Sequence, residues 1–239
     1  MTDGARQRPP EAVPASAAKP AGEIRARWAW LEAAVWTERM LTALEAGVIG
    51  GKRHSLIDKV YALPNLRKAF ERVKANGGAA GVDHVTVAEF EQHLEANLEK
   101  LARELRERTY RPQGIRRHWI AKVGSKEKRP LGIPTVRDRV VQTALRAVLE
   151  PIFERDLAAH SYGFRPGRGC KDALRRVDGL LKSGYDWVVD ADLKSYFDTI
   201  PHSPLLARVK EKVSDRCLLC AARAVFLGHR PCRRTSVLL

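Results

Sequence analysis

The chain has 239 residues, 44% of them apolar and 30% charged, with 43 Lys and Arg against 28 Asp and Glu for a net charge of +15. That length and apolar content exclude a peptide or tail and allow one large domain or two small ones, while the charge favours a polyanionic partner, nucleic acid before an anionic membrane. No apolar run approaches the roughly 20 residues of a spanning helix, no secretion signal is visible, and four cysteines make no disulfide framework, so no membrane partner and a reducing, cytoplasmic setting are expected.

Residues 1–22 are rich in Pro and Ala and almost free of bulky apolar side chains, which predicts a disordered tail. From Glu23 to about Leu44 the residues Trp28, Leu31, Val35, Trp36, Met40 and Leu44 fall near a helical period, ended by "GVIGG". A short helix from about Leu56 and another over Leu66 to Lys74 follow, the second stopped by "NGG". Thr86 and Glu89 have capping-box spacing, and Phe90, Leu94, Leu98, Leu101 and Leu105 form one apolar stripe down a long helix to about Arg108.

After "TYRP" the texture turns β-prone: "GIRRHWIAK" and "RPLGIPT" flank the polar turn "VGSKEK" and predict a basic hairpin. An amphipathic helix runs from about Arg137 to Phe153, "HSYGFRPGRG" is loop, and a helix from about Cys170 to Lys182 leads into "WVVDAD", which has the texture of a buried strand. Helices at Pro204 to Val213 and Asp215 to Leu227 complete the pass, and no internal repeat is visible.

Charge concentrates between Leu101 and Val140, with twelve basic residues against four acids, and beyond Arg111 the basic side chains sit among Pro, Gly and Ile rather than on a helix face. This is a footprint for phosphates, Arg116 and Arg117 included. Lys122 and Arg129 flank the hairpin turn, where two arms can bring cations to one side and clamp a triphosphate. Arg165 and Arg168 stand among glycines in a loop whose backbone can approach a polyanion. In a strand Asp190 and Asp192 share a face, so they either hold a hard cation such as Mg²⁺ or cap the following turn and pair with Lys194. Acids at a strand end facing a basic hairpin are the parts of a phosphoryl-transfer site.

"RPLGIPTVRDRVVQ", "SYGFRPGRGCKDAL" and "WVVDADLKSYFDTIPH", in this order, resemble the first three blocks of group II intron reverse transcriptases, the intron-encoded maturases. "GAAGVDHVTVAEF" is similar to their extra N-terminal block, and the resemblance runs from about Trp28 to Leu227. It implies an α+β fold, an incomplete right-hand polymerase of fingers plus first palm strand with a helical N-terminal extension. Its expected divisions are 23–110 for that extension and 111–239 for fingers and early palm.

By position the resemblance makes Asp192 the catalytic, metal-binding aspartate, with Leu193 lending its carbonyl to Mg²⁺. It makes Asp190 a neighbour of the site and has Asp198 stabilise the following turn. Lys122 and Arg129 become triphosphate contacts and Phe197 the aromatic under the incoming sugar, where the alternative is a core aromatic. Arg165 lies in the block lining the template path, and Gly81 and Asp83 in the block that helps hold template. The implied partners are intron or template RNA, a DNA primer and dNTP.

The resemblance also has gaps. The family's Tyr-Ala-Asp-Asp hairpin has no counterpart, since no Asp-Asp pair occurs in these 239 residues. Two-metal catalysis needs carboxylates from both places. The expectation is therefore a truncated or frame-shifted fragment that does not polymerise alone, or a half-enzyme completed by a second chain. The alternative is a non-catalytic basic RNA-binding module. Cys217, Cys220, His229 and Cys232 carry zinc-ligand types, but the first two fall at helical positions among apolar residues, and zinc is not expected.

Overall fold

The computed structural model describes residues 21–46, 55–121, 124, 128–193 and 196–228. The tail expected at 1–22 lies outside them except for Ala21 and Gly22, which open helix α1 (Ala21–Arg27). The single helix expected from Glu23 to Leu44 is two, α1 and α2 (Glu38–Glu45), separated by turns that carry Trp28, Leu31, Val35 and Trp36 into the core. Thr37 starts the second, its hydroxyl accepting from Met40 N–H at 3.3 Å.

Helices α3 (Ile57–Tyr61) and α4 (Leu63–Asn76) follow, the latter ended by Gly77 at φ +62°. The expected capping box forms: Thr86 Oγ1 accepts from Glu89 N–H, and the Glu89 carboxylate accepts from Thr86 N–H at 2.7 Å. The long helix beyond it is broken, however, into α5 (Val87–Gln92) and α6 (Leu94–Arg106) at His93. The Phe90 carbonyl, interrupted there, accepts from the Asn97 amide at 2.9 Å.

The expected hairpin is present as β1 (Arg116–Ala121) and β2 (Lys128–Ile133), antiparallel with Trp119 opposite Pro130 and Ile120 opposite Arg129. Helix α7 (Val136–Glu154) then crosses the molecule against α3, α4 and α6. Val136, Val140, Val141, Ala144, Val148 and Ile152 are buried along it, each larger side chain contributing about 1.5–3 kcal/mol. Pro151 stands inside this helix and has no N–H for the carbonyl of Ala147 four residues back. The indole N–H of Trp36 donates to that carbonyl instead, at 3.0 Å. The chain proceeds through α8 (Cys170–Lys182), α9 (Tyr196–Thr199), α10 (His202–Lys212) and α11 (Arg216–Gly228).

One apolar cluster runs from Ile24 to Leu218 and includes residues on both sides of position 110. Asp215 fastens its far end. One carboxylate oxygen accepts from Cys217 and Leu218 N–H at 2.9 and 3.0 Å and begins α11, while the other accepts from Leu56 and Ile57 N–H at 2.6 and 2.8 Å and begins α3. Burial works against ionisation of this carboxyl, but the four backbone donors outweigh it and hold its pKa below the usual range.

The expected strand at "WVVDAD" is corrected. Residues 185–193 have no regular secondary structure, and among the described residues the only sheet is β1–β2. A strand needs a neighbour for its N–H and C=O groups and an apolar surface for its side chains. Trp187 is 96% exposed, and Val188 and Val189 are also exposed. Among the described residues no helix is long and apolar enough to cross a membrane.

Candidate nucleic-acid interface

Helix α7 positions three of the sequence-predicted segments. At its N-terminus Thr135 caps Asp138 N–H, and the buried Asp138 carboxylate accepts from Tyr110 Oη–H at 2.8 Å and from Gln113 N–H at 2.9 Å, fixing the chain that enters β1. Burial, then the Asp138 charge, pushes the Tyr110 phenol pKa up, so the hydroxyl stays a donor. The Arg139 guanidinium donates to the Gly77 and Ala79 carbonyls, each at 3.0 Å, and draws the 77–83 loop onto the helix. Gly81 lies against Thr135 so closely that a Cβ there would come within 2.6 Å of the Thr135 Cα. Asp83 accepts from Val85 N–H at 3.2 Å. Gly81 and Asp83 therefore sit in a loop pinned to the start of α7.

On the ribbon, alternation divides the side chains. Arg117, Trp119, Lys128 and Pro130 share one face, and Arg116, His118, Ile120, Arg129 and Leu131 share the other. The Arg117 guanidinium lies 5.9 Å from the Trp119 ring centre. No described acid pairs with Arg116, Arg117, Lys128 or Arg129, whereas Arg67, Arg137 and Arg146 elsewhere all have carboxylate partners. Lys122 lies outside the described residues, as do Lys194, His229, Cys232 and the side chain of Asp198.

The C-terminal end of α7 holds the "SYGFRPGRG" loop. Arg165 is buried, and its guanidinium is committed to the protein: Nε donates to Glu154 Oε1 at 3.0 Å and Nη1 to the Ala158 and Ser161 carbonyls at 2.7 and 2.9 Å. Glu154, also buried, accepts from Arg27 at 2.8 Å, and Arg27 reaches Glu45 at 2.7 Å. This chain of charges ties α1, α2, α7 and the loop together, and it makes Arg165 an anchor for the loop. Arg168 is nearer the surface, 5.9 Å from the Tyr162 ring centre and bonded to the Ala159 and Ser161 carbonyls. Sequence reasoning missed Glu154; the one available signal was that a buried arginine needs an acid.

Asp190, Asp192 and Leu193 lie exposed on the segment without regular structure, and Phe197, 81% exposed, packs edge-on against Tyr196 with ring centres 5.4 Å apart. Phe197 is thus outside the core. Among the described residues no three His, Cys, Asp or Glu side chains approach closely enough to hold a metal ion. A hard divalent cation takes about six oxygens, several of them water. Asp192 with the Leu193 carbonyl has the right donor chemistry but supplies only part of such a shell.

Residues 120–232 match the family model for reverse transcriptase (RNA-dependent DNA polymerase). The chain is 38% identical over 149 residues to the group II intron-encoded protein LtrA of Lactococcus lactis subsp. cremoris, covering 62% of this chain and 24% of that protein. It is 40% identical over 154 residues to the protein YkfC of Escherichia coli, covering 62% and 40% of the two chains. It is 29% identical over 189 residues to nuclear intron maturase 4, mitochondrial, of Arabidopsis thaliana, covering 79% and 22%. The chain thus matches 22–40% of the length of these relatives. A helix-rich chain with a small two-stranded sheet is compatible with part of a reverse transcriptase fold.

Proposed function

We propose, for a chain that belongs to the group II intron-encoded reverse transcriptases and maturases, that it forms the fingers and the first palm segment of an RNA-directed DNA polymerase, held on a helical N-terminal extension. The observation that carries this reading is the exposed basic ribbon at the start of the matched region, whose four described cations have no acid partner among the described residues and are available to phosphates. Arg116, Arg117 and Arg168 take RNA backbone, and the pinned loop of Gly81 and Asp83 supports the template. Arg129, with Lys122, takes the nucleotide's phosphates. Phe197 offers a ring for the sugar to rest on.

The reverse transcriptase family uses a divalent metal, and Mg²⁺ fits the oxygen donors of Asp192 and Leu193. The metal would neutralise charge on the transferring phosphoryl group. The residues of this chain bind and screen: arginines draw in the polyanion, and the Asp192 carboxylate offers a negative oxygen ligand for the cation. Within these 239 residues there is no Asp-Asp pair to complete that site, so polymerisation requires carboxylates from another polypeptide segment or a second chain. RNA template, DNA primer and dNTP are the substrates, and the cytoplasm is the setting.

The second reading, an RNA-binding module without catalysis, is favoured by the lack of a three-acid cluster among the described residues. Two measurements test these readings. RNA affinity of the chain should fall steeply with salt, with log K against log[salt] reduced in slope by about 0.7 for each single-strand phosphate contact removed, as in Arg116→Ala or Arg117→Ala. A flat salt response refutes both readings. Primer extension with Mg²⁺ and dNTP should give no product from this chain alone, and incorporation would refute the incomplete site.

A further inference from the structure

Phe164 is 98% exposed and has φ +56°, in the left-handed region that bulky side chains avoid. Nothing in its own packing explains that conformation, because the ring touches almost nothing. The restraint comes from its neighbour. Arg165 is locked to Glu154 and to the carbonyls of Ala158 and Ser161, and Gly167, at φ +70°, faces Arg27, whose side chain would lie 3.5 Å from a Cβ placed there. With residue 165 driven inward by these bonds, residue 164 is forced outward at a cost in backbone energy, the signature of a side chain held for a purpose.

The surroundings indicate what the ring meets. Apart from the buried Arg165–Glu154 pair, residues 155–176 carry Arg155, Arg168, Lys171, Arg175 and Arg176 against Asp156 and Asp172, which pair with Lys212 and Arg175. An isolated aromatic in a basic field is poorly suited to an apolar protein partner and well suited to an unpaired nucleobase, whose face stacks on the ring while its phosphate meets the nearby cations.

We propose that Phe164 is a nucleobase-stacking site for single-stranded RNA, with Arg168 beside it for the adjoining phosphate, and that Arg165, Glu154 and Arg27 are positioning residues that hold the ring out. The proposal rests on the RNA-binding reading above and names a contact that reading does not require.

The test is fluorescence anisotropy of the full chain with a labelled ten-nucleotide single-stranded RNA and with a duplex of the same sequence. Phe164→Ala should weaken single-strand binding between about 5-fold and 150-fold, leave the salt slope unchanged and leave duplex binding unchanged. Phe164→Trp should bind within about threefold of the parent, and Phe164→Gly, which accepts positive φ, should melt no lower than the parent while binding as weakly as the alanine variant. Arg168→Ala should reduce the salt slope, which Phe164→Ala does not. Equal affinity of Phe164→Ala and parent for the single strand overturns this inference alone. A parent chain that binds no RNA overturns the broader reading with it.

Discussion

Replacing Asp215 by Asn tests the joint that fastens α11 and α3 to each other. The aspartate offers two acceptor oxygens to four backbone N–H groups, two on each helix start. Asparagine retains one oxygen and turns an NH₂ toward the other pair, so one helix start keeps its cap and the other faces donor against donor. Loss of a cap costs about 1 kcal/mol and a buried donor left unsatisfied about 1–3 kcal/mol, so a total of about 2–4 kcal/mol is expected. For a chain of this size that corresponds to a fall in Tm of roughly 5–12 °C.

The pH dependence follows from the direction of the shift. The folded carboxyl has a lower pKa than the unfolded one, which lies near 3.9, so its contribution is complete well above about pH 5 and fades as pH falls through the folded value. Urea unfolding followed by tryptophan fluorescence, run from pH 7 down to pH 3, should show the parent losing stability in that acid limb and Asp215→Asn losing less there. An asparagine variant as stable as the parent at pH 7, with the same acid limb, would refute the double-cap reasoning.

Three further perturbations test other joints. Glu154→Gln leaves the buried Arg165 charge without its counter-ion and should cost about 3–5 kcal/mol, read by thermal melting, with proteolytic cleavage appearing in the 158–169 loop. Gly81→Ala puts a methyl group into the Thr135 backbone, so the 77–83 loop must move off α7; a loss of about 1–3 kcal/mol in urea unfolding is expected, and an unchanged midpoint would contradict the close approach. Trp36→Phe removes the donor that serves the Ala147 carbonyl and should cost about 1–3 kcal/mol, and Pro151→Ala, by restoring an N–H four residues along, should recover part of that loss in a double-mutant cycle.

What the sequence revealed and what it hid divide by distance along the chain. The Thr86–Glu89 capping box and the hairpin at 116–133 are local: partners lie a few residues apart, and turn chemistry identifies them. The break at His93 escaped because the apolar stripe continues through it, and periodicity measures burial rather than backbone continuity. Asp215 reads as one more polar residue before a helix, since the donors at Leu56 and Ile57 lie 159 and 158 residues away. Arg165 was legible as a basic residue in a glycine-rich loop, but its commitment to Glu154 depends on how that loop folds back over the end of α7. Its neighbour Arg168, with the same local texture, stays nearer the surface.

The segment at 187–193 shows the same limit from the other side. Aromatic and β-branched residues there express a preference for a pleated, half-buried surface, and that preference is conditional on a neighbouring strand. Each of Trp187, Val188 and Val189 forgoes about 1.5–3 kcal/mol by staying in water, and the backbone forgoes ladder hydrogen bonds as well. A docked strand would supply both at once, and it would act on the stretch that carries Asp192. Helix α8 just before it behaves alike: Leu174, Val177 and Leu181 lie along one stripe, yet none of its side chains is buried. The contrast with α7 is not one of propensity, because both helices form where their sequences predict. It is one of partners, since α7 packs against α2, α3, α4, α5 and α6 while α8 and the segment after it present their apolar side chains to solvent. The Asp192 region is therefore the part of the chain whose conformation is most open to being set by whatever binds it.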